Sequence, residues 1–437
     1  DFTVAGRTHP AGSYVVKTNQ AFRPHVLDMF ESQDHPNDFK FEGGPPNRPY
    51  DVAGWTLAFQ MGIKFDRVLE AFDGPFERLP YGELQKPPAG RIAGRGAGFV
   101  ISHRVNDSFV LANRLLKAGA EAYWLKSPVS EVAAFGTGAL YVPDRGGARG
   151  IVEKAASELG LDVRAVASAP GGEKLRLAAP RIALWDRYGG SIPSGWTRWV
   201  LEQFEFPFDV IFPQQIDAGR LRDKYDVIVF VTGAIAAPGA RGTSIARPKN
   251  LPAQYETWIG RLTPEKSVPA LKEFLQAGGS VVTIGSSSSL AYHLGLPVKN
   301  ALRERGVDGK ERNLPDEKFY IPGSVLEAKL DPAEPVTWGM PERSYFYFER
   351  SPAFVLTGDT VNGTTKPIAW FDTDTPLRSG WAWGQKYLKD TTTVATAQVG
   401  KGRLYLMGSE VAFRGQTHGT FKLLFNALLL SAAKNEK

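Results

Sequence analysis

The sequence of 437 residues contains no cysteine. This absence excludes disulfide bonds, thiolate metal ligands and a cysteine nucleophile, and it leaves the cellular compartment open. The sequence also lacks any run of about 18 apolar residues, the length that a membrane-spanning helix needs. Its best candidate, residues 227–240, is short and is interrupted by Gly233, Pro238 and Gly239. We therefore predict no membrane span.

The common zinc-hydrolase motifs are missing as well. A catalytic zinc site of the carboxypeptidase type needs two His and a carboxylate, with the first His and the Glu close together in sequence. The chain has six His and no H-E-x-x-H motif, and none of the six is the first residue of an H-x-x-E motif. His25 and His35 have Asp28 and Asp38 at that offset, but a surface or packing role suits both better. We predict no metal site.

The sequence also lacks a long stretch of charged residues of one sign. The chain has 52 basic and 46 acidic residues, a formal net charge of +6. Its densest basic stretch, residues 303–312, is interleaved with Glu304, Asp308 and Glu311. A nucleic-acid interface needs a continuous basic face, so this pattern favours a solvated loop and no nucleic-acid partner.

Aromatic residues are plentiful, at 11% with ten Trp. Most should pack in cores, because aromatic side chains bury the most apolar area per residue. The alternative is a carbohydrate- or peptide-binding module that stacks its ligand on Trp196, Trp199, Trp381 and Trp383.

Loop-forming residues divide the chain into three regions. Residues 1–90 are rich in Pro and Gly and contain a predicted strand at 12–16 and a helix at 21–31. Residues 91–172 have the strand and helix patterns of a small α/β domain. The strand and helix at 12–31 weakly repeat those at 138–158, but no strand–helix–strand precedes them, so we expect the chain to begin inside a structural unit.

Residues 173–437 form the most regular region. Short runs of buried-type residues at 181–186, 209–212, 226–231, 280–284 and 403–407 predict strands, and they alternate with helical patterns. Helices are predicted from Ser194 to Phe204, from Pro264 onward and from Phe421 to Leu430. This alternation predicts a doubly wound parallel sheet, so the fold class is α/β throughout.

One turn in this region has the pattern of a nucleophile site. The strand 280–284 is followed by Gly285 and four serines and then by an apolar helix, the order that raises a nucleophile above a parallel sheet. Ser287 is the candidate nucleophile, with Glu410 and His418 as weak candidate partners. The second glycine of G-x-S-x-G is absent, however, and the serines could equally cap the helix or hold an anion.

The same sheet edge should carry other polar side chains, because ligands of open α/β folds bind at the carboxyl ends of the strands. Asp186 and Tyr188 follow the first strand of the region, Ser286 follows the fourth, and Arg414 lies in a polar loop after the last. These four residues are the candidate ligand pocket.

Several strings of the sequence resemble one family. They are THPAGSYVV (8–16), QAFR (20–23), ESQ (31–33), YDVAGWTL (50–57), GS (323–324), WGM (338–340) and RGQTHGT (414–420). They resemble the part that follows the catalytic domain in large bacterial carboxypeptidase-A-like zinc metallopeptidases. The resemblance covers nearly the whole chain, and 50–57 and 414–420 are its most specific strings.

The resemblance implies an exported protein, periplasmic or secreted, whose zinc-binding domain precedes Asp1. It also implies that the last domain is similar to class I glutamine amidotransferases. There the nucleophilic Cys corresponds to the vicinity of Ser287 and the catalytic His-x-Glu to 408–410, where this sequence has no His. A serine without a general base is a poor nucleophile, so glutaminase activity is not expected.

Together these points predict a non-catalytic accessory, scaffold or substrate-binding region of a zinc carboxypeptidase, present as a fragment of a larger precursor. Its partner would be the missing catalytic domain or another fragment of that precursor, with a peptide or glycan as a further possible ligand. No cofactor is expected in this chain, and zinc is expected in the parent's catalytic domain. One alternative is a serine-dependent hydrolase or amidotransferase-like enzyme that uses the turn Ser286–Ser289, and the other is the carbohydrate- or peptide-binding module.

Overall fold

A computed structural model describes residues 1–240, 248–359 and 364–437. Its helices are α1 Arg23–Phe30, α2 Leu57–Met61, α3 Asp107–Lys117, α4 Ala148–Leu159, α5 Ile192–Gln203, α6 Pro213–Asp217, α7 Leu221–Lys224, α8 Ser267–Gln276, α9 Leu290–His293 and α10 Phe421–Leu430. No helix among these residues is long and apolar enough to cross a membrane.

The described residues also contain the strands. They are β1 Phe2–Val4, β2 Arg7–His9, β3 Ile92–Ala93, β4 Gly98–Ile101, β5 Tyr123–Leu125, β6 Leu140–Pro143, β7 Val163–Val166, β8 Lys174–Arg176, β9 Ile182–Trp185, β10 Phe208–Ile211, β11 Val227–Phe230, β12 Ser280–Ile284, β13 Val298–Asn300, β14 Arg303–Arg305, β15 Glu311–Asn313, β16 Pro322–Leu330, β17 Arg343–Glu349, β18 Phe354–Leu356, β19 Thr365–Trp370, β20 Leu377–Ser379, β21 Thr392–Val399, β22 Gly402–Met407 and β23 Lys434–Glu436.

One half of the large sheet is parallel. Its strands lie in the order β10-β9-β11-β12-β22 and all run in the same direction. Numbered along the chain this is the order 2-1-3-4-5 of doubly wound folds. The crossover from β9 to β10 through α5 and the crossover from β11 to β12 through α8 proceed in opposite directions along the sheet. Because such crossovers are right-handed, the two helices lie on opposite faces of the sheet. The α/β prediction is confirmed.

The central strands of this half are buried on both faces. Every residue of β11 and β12 is buried, which agrees with their β-branched and apolar sequences. Helix boundaries differ slightly from prediction. Helix α5 begins at Ile192 because Ser194 turns inward and donates a hydrogen bond to the Trp185 carbonyl at 3.0 Å, and α8 begins at Ser267.

The other half of the large sheet is antiparallel. From β22 the order continues β21-β19-β16-β17, and each pair is antiparallel. The sequence analysis predicted none of these strands between residues 285 and 402. Several of them, such as β21 with six consecutive buried residues, lack the polar–apolar alternation that identifies a half-exposed strand.

The small sheet has the order β23-β8-β5-β6-β4-β7-β3. Its central strands, with α3 and α4, form a β-α-β-β-α-β unit in which β6 lies antiparallel between β4 and β5, a split β-α-β arrangement. Helix α4, residues 148–159, lies in the part of the chain where the sequence has helix patterns. Strands β8 and β23 come from outside residues 91–172, so the sheet includes both the start and the end of the third region.

Residues 1–90 contain little regular structure. The predicted strand at 12–16 does not form, since these residues have no neighbouring strand and Tyr14 is 65% exposed. Helix α1 is present but has no buried residue, unlike α4, so the weak internal repeat is not a repeat of structure.

Backbone contacts hold this region against the antiparallel half of the large sheet. The N–H groups of Ala53 and Gly54 donate to the Gly323 carbonyl at 2.9 and 3.0 Å, and Gly380 N–H donates to the Gln33 carbonyl at 2.8 Å. A Cβ on Gly54 would overlap the Gly380 backbone, so only glycine permits this approach.

Candidate functional site

A cavity of about 180 Å³ opens at the carboxyl edge of the parallel strands. This is the edge at which doubly wound folds bind ligands. The lining residues follow β11, β12, β17 and β22 or belong to the first turns of α5. They are Ile192, Pro193, Trp196, Thr197, Val231, Thr232, Ile284, Glu349, Glu410, Ala412, Phe413 and Arg414.

Glu410 is the most perturbed acid of the cavity. It is half-buried, its backbone N–H donates to the Tyr347 carbonyl at 3.0 Å, and its Oε1 accepts a short hydrogen bond from the Thr232 hydroxyl. Burial raises the pKa of Glu410 to about 7, although the Thr232 hydrogen bond lowers it, and the charge of Glu349 adds to the rise. The carboxyl therefore changes charge near neutral pH.

Glu349 ends β17 at the rim of the cavity. The residue as a whole is exposed, but its carboxyl lies close enough to protein atoms for desolvation to raise its pKa. The charge of Arg414 opposes this shift and that of Asp51 reinforces it. Two carboxyls thus share one small cavity.

Arg414 forms the third charged part of the lining. Its guanidinium donates two hydrogen bonds to the Asp51 carboxylate, both at 2.6 Å, and it lies over the Phe413 ring at 4.8 Å. Arg414 itself has φ of 47°, a conformation that L-residues adopt only when their surroundings stabilise it. Its hydrogen bond lowers the pKa of Asp51.

This ion pair joins the two most specific strings of the sequence. Asp51 belongs to 50–57 and Arg414 to 414–420, and Gly419 N–H donates to the Gln60 carbonyl at 2.9 Å. Thr56 and Ser379 also share a hydrogen bond between their hydroxyls at 2.8 Å. The strings therefore meet where residues 1–90 pack on the large sheet.

The serine turn is built differently from a nucleophile site. Residues Gly285–Ser289 form a 3-10 helix, and Ser287 is completely buried. Its hydroxyl donates to the Val231 carbonyl at 2.5 Å and accepts from the N–H groups of Ala234 and Ile235, both at 3.1 Å. Ser287 thus fastens the turn after β11 to the turn after β12, and its oxygen does not reach the cavity.

Ser286 is exposed, and its hydroxyl oxygen accepts a hydrogen bond from Gly233 N–H at 2.9 Å. It does not line the cavity either. Between it and β12, Gly285 has φ of 56°, and a Cβ there would overlap the Thr232 hydroxyl and lie 2.5 Å from Glu410 Oε1. Glycine is required here because the Thr232–Glu410 pair fills the space of a side chain.

Asp186, a predicted pocket residue, instead supports the start of α5. It is buried, with its Oδ1 accepting from Arg187 N–H at 2.8 Å. Burial raises its pKa, while backbone hydrogen bonds from Arg187 and Ser191 lower it. Tyr188 packs edge-on against Tyr255 with 6.0 Å between ring centroids. Neither residue lines the cavity.

His418 lies away from the cavity as well. Its ring packs on Phe421 with 4.7 Å between centroids, and its carbonyl accepts from Asn106 Nδ2 at 2.9 Å. Burial lowers its pKa. Of the seven predicted site residues, the structure therefore brings Glu410 and Arg414 together in the cavity and leaves the other five outside its lining.

Sequence reasoning missed Thr232 and Glu349. Glu349 ends an antiparallel strand that was not predicted, and no pattern distinguishes it from other surface acids. Thr232 carried a usable signal, since it directly follows the buried strand β11.

The four tryptophans of the stacking hypothesis do not form one surface. Trp381 is buried, whereas Trp196 and Trp199 are partly exposed on α5 and pack edge-on with 6.1 Å between centroids. Trp383 donates its indole N–H to the Glu317 carbonyl at 2.8 Å. Trp196 alone reaches the cavity.

No cluster of three or more His, Asp or Glu that could hold a metal ion occurs within residues 1–240, 248–359 and 364–437.

Comparison with known proteins identifies no family. No protein-family description matches the sequence, and no curated protein matches it. A β-galactosidase from Bacillus circulans sp. alkalophilus aligns over 57% of this chain and 31% of its own, at 13% identity and a TM-score of 0.32. The matched part is thus under a third of that enzyme.

Two smaller structures align over most of their own length. A ThuA-like protein from Bacteroides uniformis covers 58% of this chain and 89% of its own, at 12% identity and a TM-score of 0.32. PurLQS from Thermotoga maritima aligns over 58% of this chain and 98% of its own, at 15% identity and a TM-score of 0.32. At such identities and TM-scores these similarities carry no inference about function.

Proposed function

We propose that this chain is a non-catalytic accessory region of an exported zinc carboxypeptidase, acting as a scaffold and binding region for a separate zinc-binding domain of the same protein. The family resemblance of the strings supports the assignment to this class of protein. The partner in this proposal is the zinc-binding domain, and the compartment is the periplasm or the extracellular space.

The observation that carries the scaffold role is the apolar surface of residues 1–90. Most of the large apolar side chains that are exposed in the described residues lie between 14 and 84. Tyr81 is 92% exposed and Leu84 is 96% exposed. Exposed apolar surface costs about 25 cal/mol per Å² relative to burial, and concentrations of it mark interaction surfaces. A domain packed on this region would remove that cost.

The non-catalytic role is supported by the serine turn. A serine nucleophile needs a free hydroxyl and a general base within hydrogen-bond reach. The Ser287 hydroxyl already makes three hydrogen bonds to backbone groups. We expect a fluorophosphonate probe to label neither Ser286 nor Ser287, whereas labelling of either would favour the serine-hydrolase alternative.

The decisive experiment is purification from the native source, with intact mass, N-terminal sequencing and zinc analysis. We expect this region within a longer zinc-containing polypeptide, or in a stoichiometric complex with a zinc-containing fragment. The isolated chain should release no C-terminal residue from peptides. A zinc-free native protein of 47.8 kDa without a co-purifying peptidase would refute the proposal.

A pair of variants tests where the zinc domain would pack. In a binding assay between the separately produced domain and this chain, Leu84→Ser should weaken binding about tenfold, the loss expected when a buried leucine contact is removed. Val307→Ser is the matched control, because Val307 is equally exposed but lies between β14 and β15. Equal effects of the two changes would place the interface elsewhere.

A further inference from the structure

We infer that the cavity at the carboxyl edge of the large sheet binds a small organic cation, an ammonium or guanidinium that carries an apolar group, with its charged end at the Glu410 carboxylate. This inference goes beyond the accessory role and does not depend on it, since it rests on the cavity alone.

The first argument is that Glu410 lacks a cation. In the part of the chain that the structure describes, no cation is among the groups that act on Glu410, and Arg414 of the same cavity forms its ion pair with Asp51. The hydrogen bond that Glu410 Oε1 accepts comes from an uncharged hydroxyl, that of Thr232. A partly buried carboxylate without a cation is costly, and a bound ammonium or guanidinium would supply charge-assisted hydrogen bonds.

The second argument is that Arg414, the cation that lines the cavity, already has an ion-pair partner. Arg414 directs both of its terminal nitrogens at Asp51. The N-terminus of α5 borders the cavity and would favour an anion, but Asp186 accepts the backbone N–H of Ser191 there. Pro193, the next residue but one, has no N–H to offer. An anionic ligand would therefore compete with Asp51 for the Arg414 guanidinium and with Asp186 for the Ser191 N–H.

The third argument is the character of the remaining wall. Apart from its charged residues and two threonines, the cavity is lined by apolar and aromatic side chains, namely Ile192, Pro193, Trp196, Val231, Ile284, Ala412 and Phe413. Such a wall binds a hydrocarbon or aromatic group, and an aromatic ring also attracts a nearby cation. The volume of about 180 Å³ suits a small molecule.

The titration of Glu410 makes binding dependent on pH. The groups that act on it are the Thr232 hydroxyl and the Glu349 carboxyl, and its own charge acts on the Tyr347 hydroxyl. Arg414 lines the same cavity but directs its guanidinium at Asp51. Because the pKa of Glu410 is near 7, a cation that binds below this pH must displace a proton from the carboxyl. Affinity should therefore rise between pH 6 and pH 8.

The test uses three probes of similar size and different charge, namely benzylamine, benzyl alcohol and benzoate, measured by isothermal titration calorimetry against the full chain. At pH 8 benzylamine should bind at least about tenfold more tightly than benzyl alcohol, the value of one charge-assisted hydrogen bond, and benzoate should not bind. At pH 6, titrations in buffers of different ionisation enthalpy should reveal proton release. Equal binding of the amine and the alcohol, or no saturable binding of the amine, would overturn the inference.

Variants locate the site. Glu410→Gln should weaken benzylamine binding about tenfold or more and abolish proton release, while leaving benzyl alcohol unaffected. Glu311→Gln removes one negative charge from the exposed strand β15 and is the control for net charge. If both variants lose the same affinity, the probe responds to overall charge and the cavity is not its site. Near-UV circular dichroism checks that each variant is folded.

Discussion

Two turns leave the same edge of the large sheet and differ in how their polar groups are used. The turn after β12 contains four serines, yet the Ser287 hydroxyl makes hydrogen bonds to three backbone groups. The turn after β22 contains one acid, Glu410, which accepts a single hydrogen bond from an uncharged side chain. The first turn is internally satisfied, whereas the second keeps a carboxyl that changes charge near neutral pH.

The difference shows that a large number of polar residues in one stretch of sequence does not indicate a functional site. A buried polar group must find a partner, and a serine beside a strand end finds one in the adjoining backbone. A carboxylate can be satisfied by backbone groups only where several N–H groups point at it, and here its neighbour is a single hydroxyl. Four substitutions, in order of decreasing effect, test this contrast.

Gly285→Ala disrupts the contact between the two turns and should lower the free energy of unfolding more than the other three substitutions. The added methyl would overlap the Thr232 hydroxyl and crowd Glu410, and the residue has φ of 56°. We expect the free energy of unfolding to fall by about 3–4 kcal/mol, the combined cost of overpacking and of a left-handed alanine. Denaturant unfolding would measure it. Gly295→Ala is the control, since Gly295 has φ of 66° and open space around it, and should cost only about 1 kcal/mol.

Ser287→Ala tests whether the serine turn is structural. It leaves the Ile235 N–H without its partner, and the Val231 carbonyl and the Ala234 N–H keep only their hydrogen bond to each other at 3.2 Å. We expect a loss of about 2–3 kcal/mol in the free energy of unfolding. Ser286→Ala, at an exposed site with one such contact, should lose less than about 1 kcal/mol. Similar losses in the two variants would contradict the contrast between them.

The pH dependence of stability tests the carboxyl of Glu410. Its pKa is about 7 in the folded protein against an ordinary value of 4.5, so the folded state holds a proton that the unfolded state releases. This contribution to stability is complete below pH 4.5 and is lost as the pH rises to about 7. Between pH 5 and pH 8 the loss should be about 2 kcal/mol, allowing for partial solvent contact.

Glu410→Gln should remove that part of the pH profile and be the more stable protein at pH 8. Because other acids with raised pKa values, such as Glu349 and Asp107, titrate in both proteins, the difference between the two profiles isolates Glu410. Parallel profiles from pH 5 to pH 8 would show that its carboxyl ionises normally.

Asp51→Asn should have the smallest effect on global stability. The Asp51–Arg414 pair is partly exposed, and such pairs contribute below about 1 kcal/mol. Its local effect should be clear, because hydrogen exchange at the Ala53 and Gly54 amides should accelerate as the region 1–90 loosens. Asp66→Asn breaks a comparable exposed pair with Arg7 inside the region and should leave those amides unchanged.

Much of the parallel half of the fold could be predicted from sequence. Strands β11 and β12 are continuous buried runs, and α4 is bounded by glycines at 147 and 160 with positive φ, so local chemistry and tertiary structure agree there. The antiparallel half could not be predicted, because strands buried on both faces lose their alternation and their pairing depends on residues far away in the chain.

The site was only partly predictable for a related reason. The carboxyl ends of parallel strands meet at one edge, which placed Glu410 and Arg414 there from sequence alone. Whether a polar side chain at that edge turns toward the cavity or back to the protein depends on neighbouring backbone groups. Asp186 and Ser287 turn back because N–H groups of adjacent loops face them, and no pattern in one sequence indicates that choice.

The pairing of β23 with β8 delays completion of the small sheet until the end of synthesis. Strand β8 is made before any strand of the large sheet, and its neighbour β23 is made after all of them. While the ribosome produces the residues between, one edge of the small sheet has no partner, and unpaired edges invite association with other chains. The small sheet can therefore be completed only after all strands of the large sheet have been synthesised.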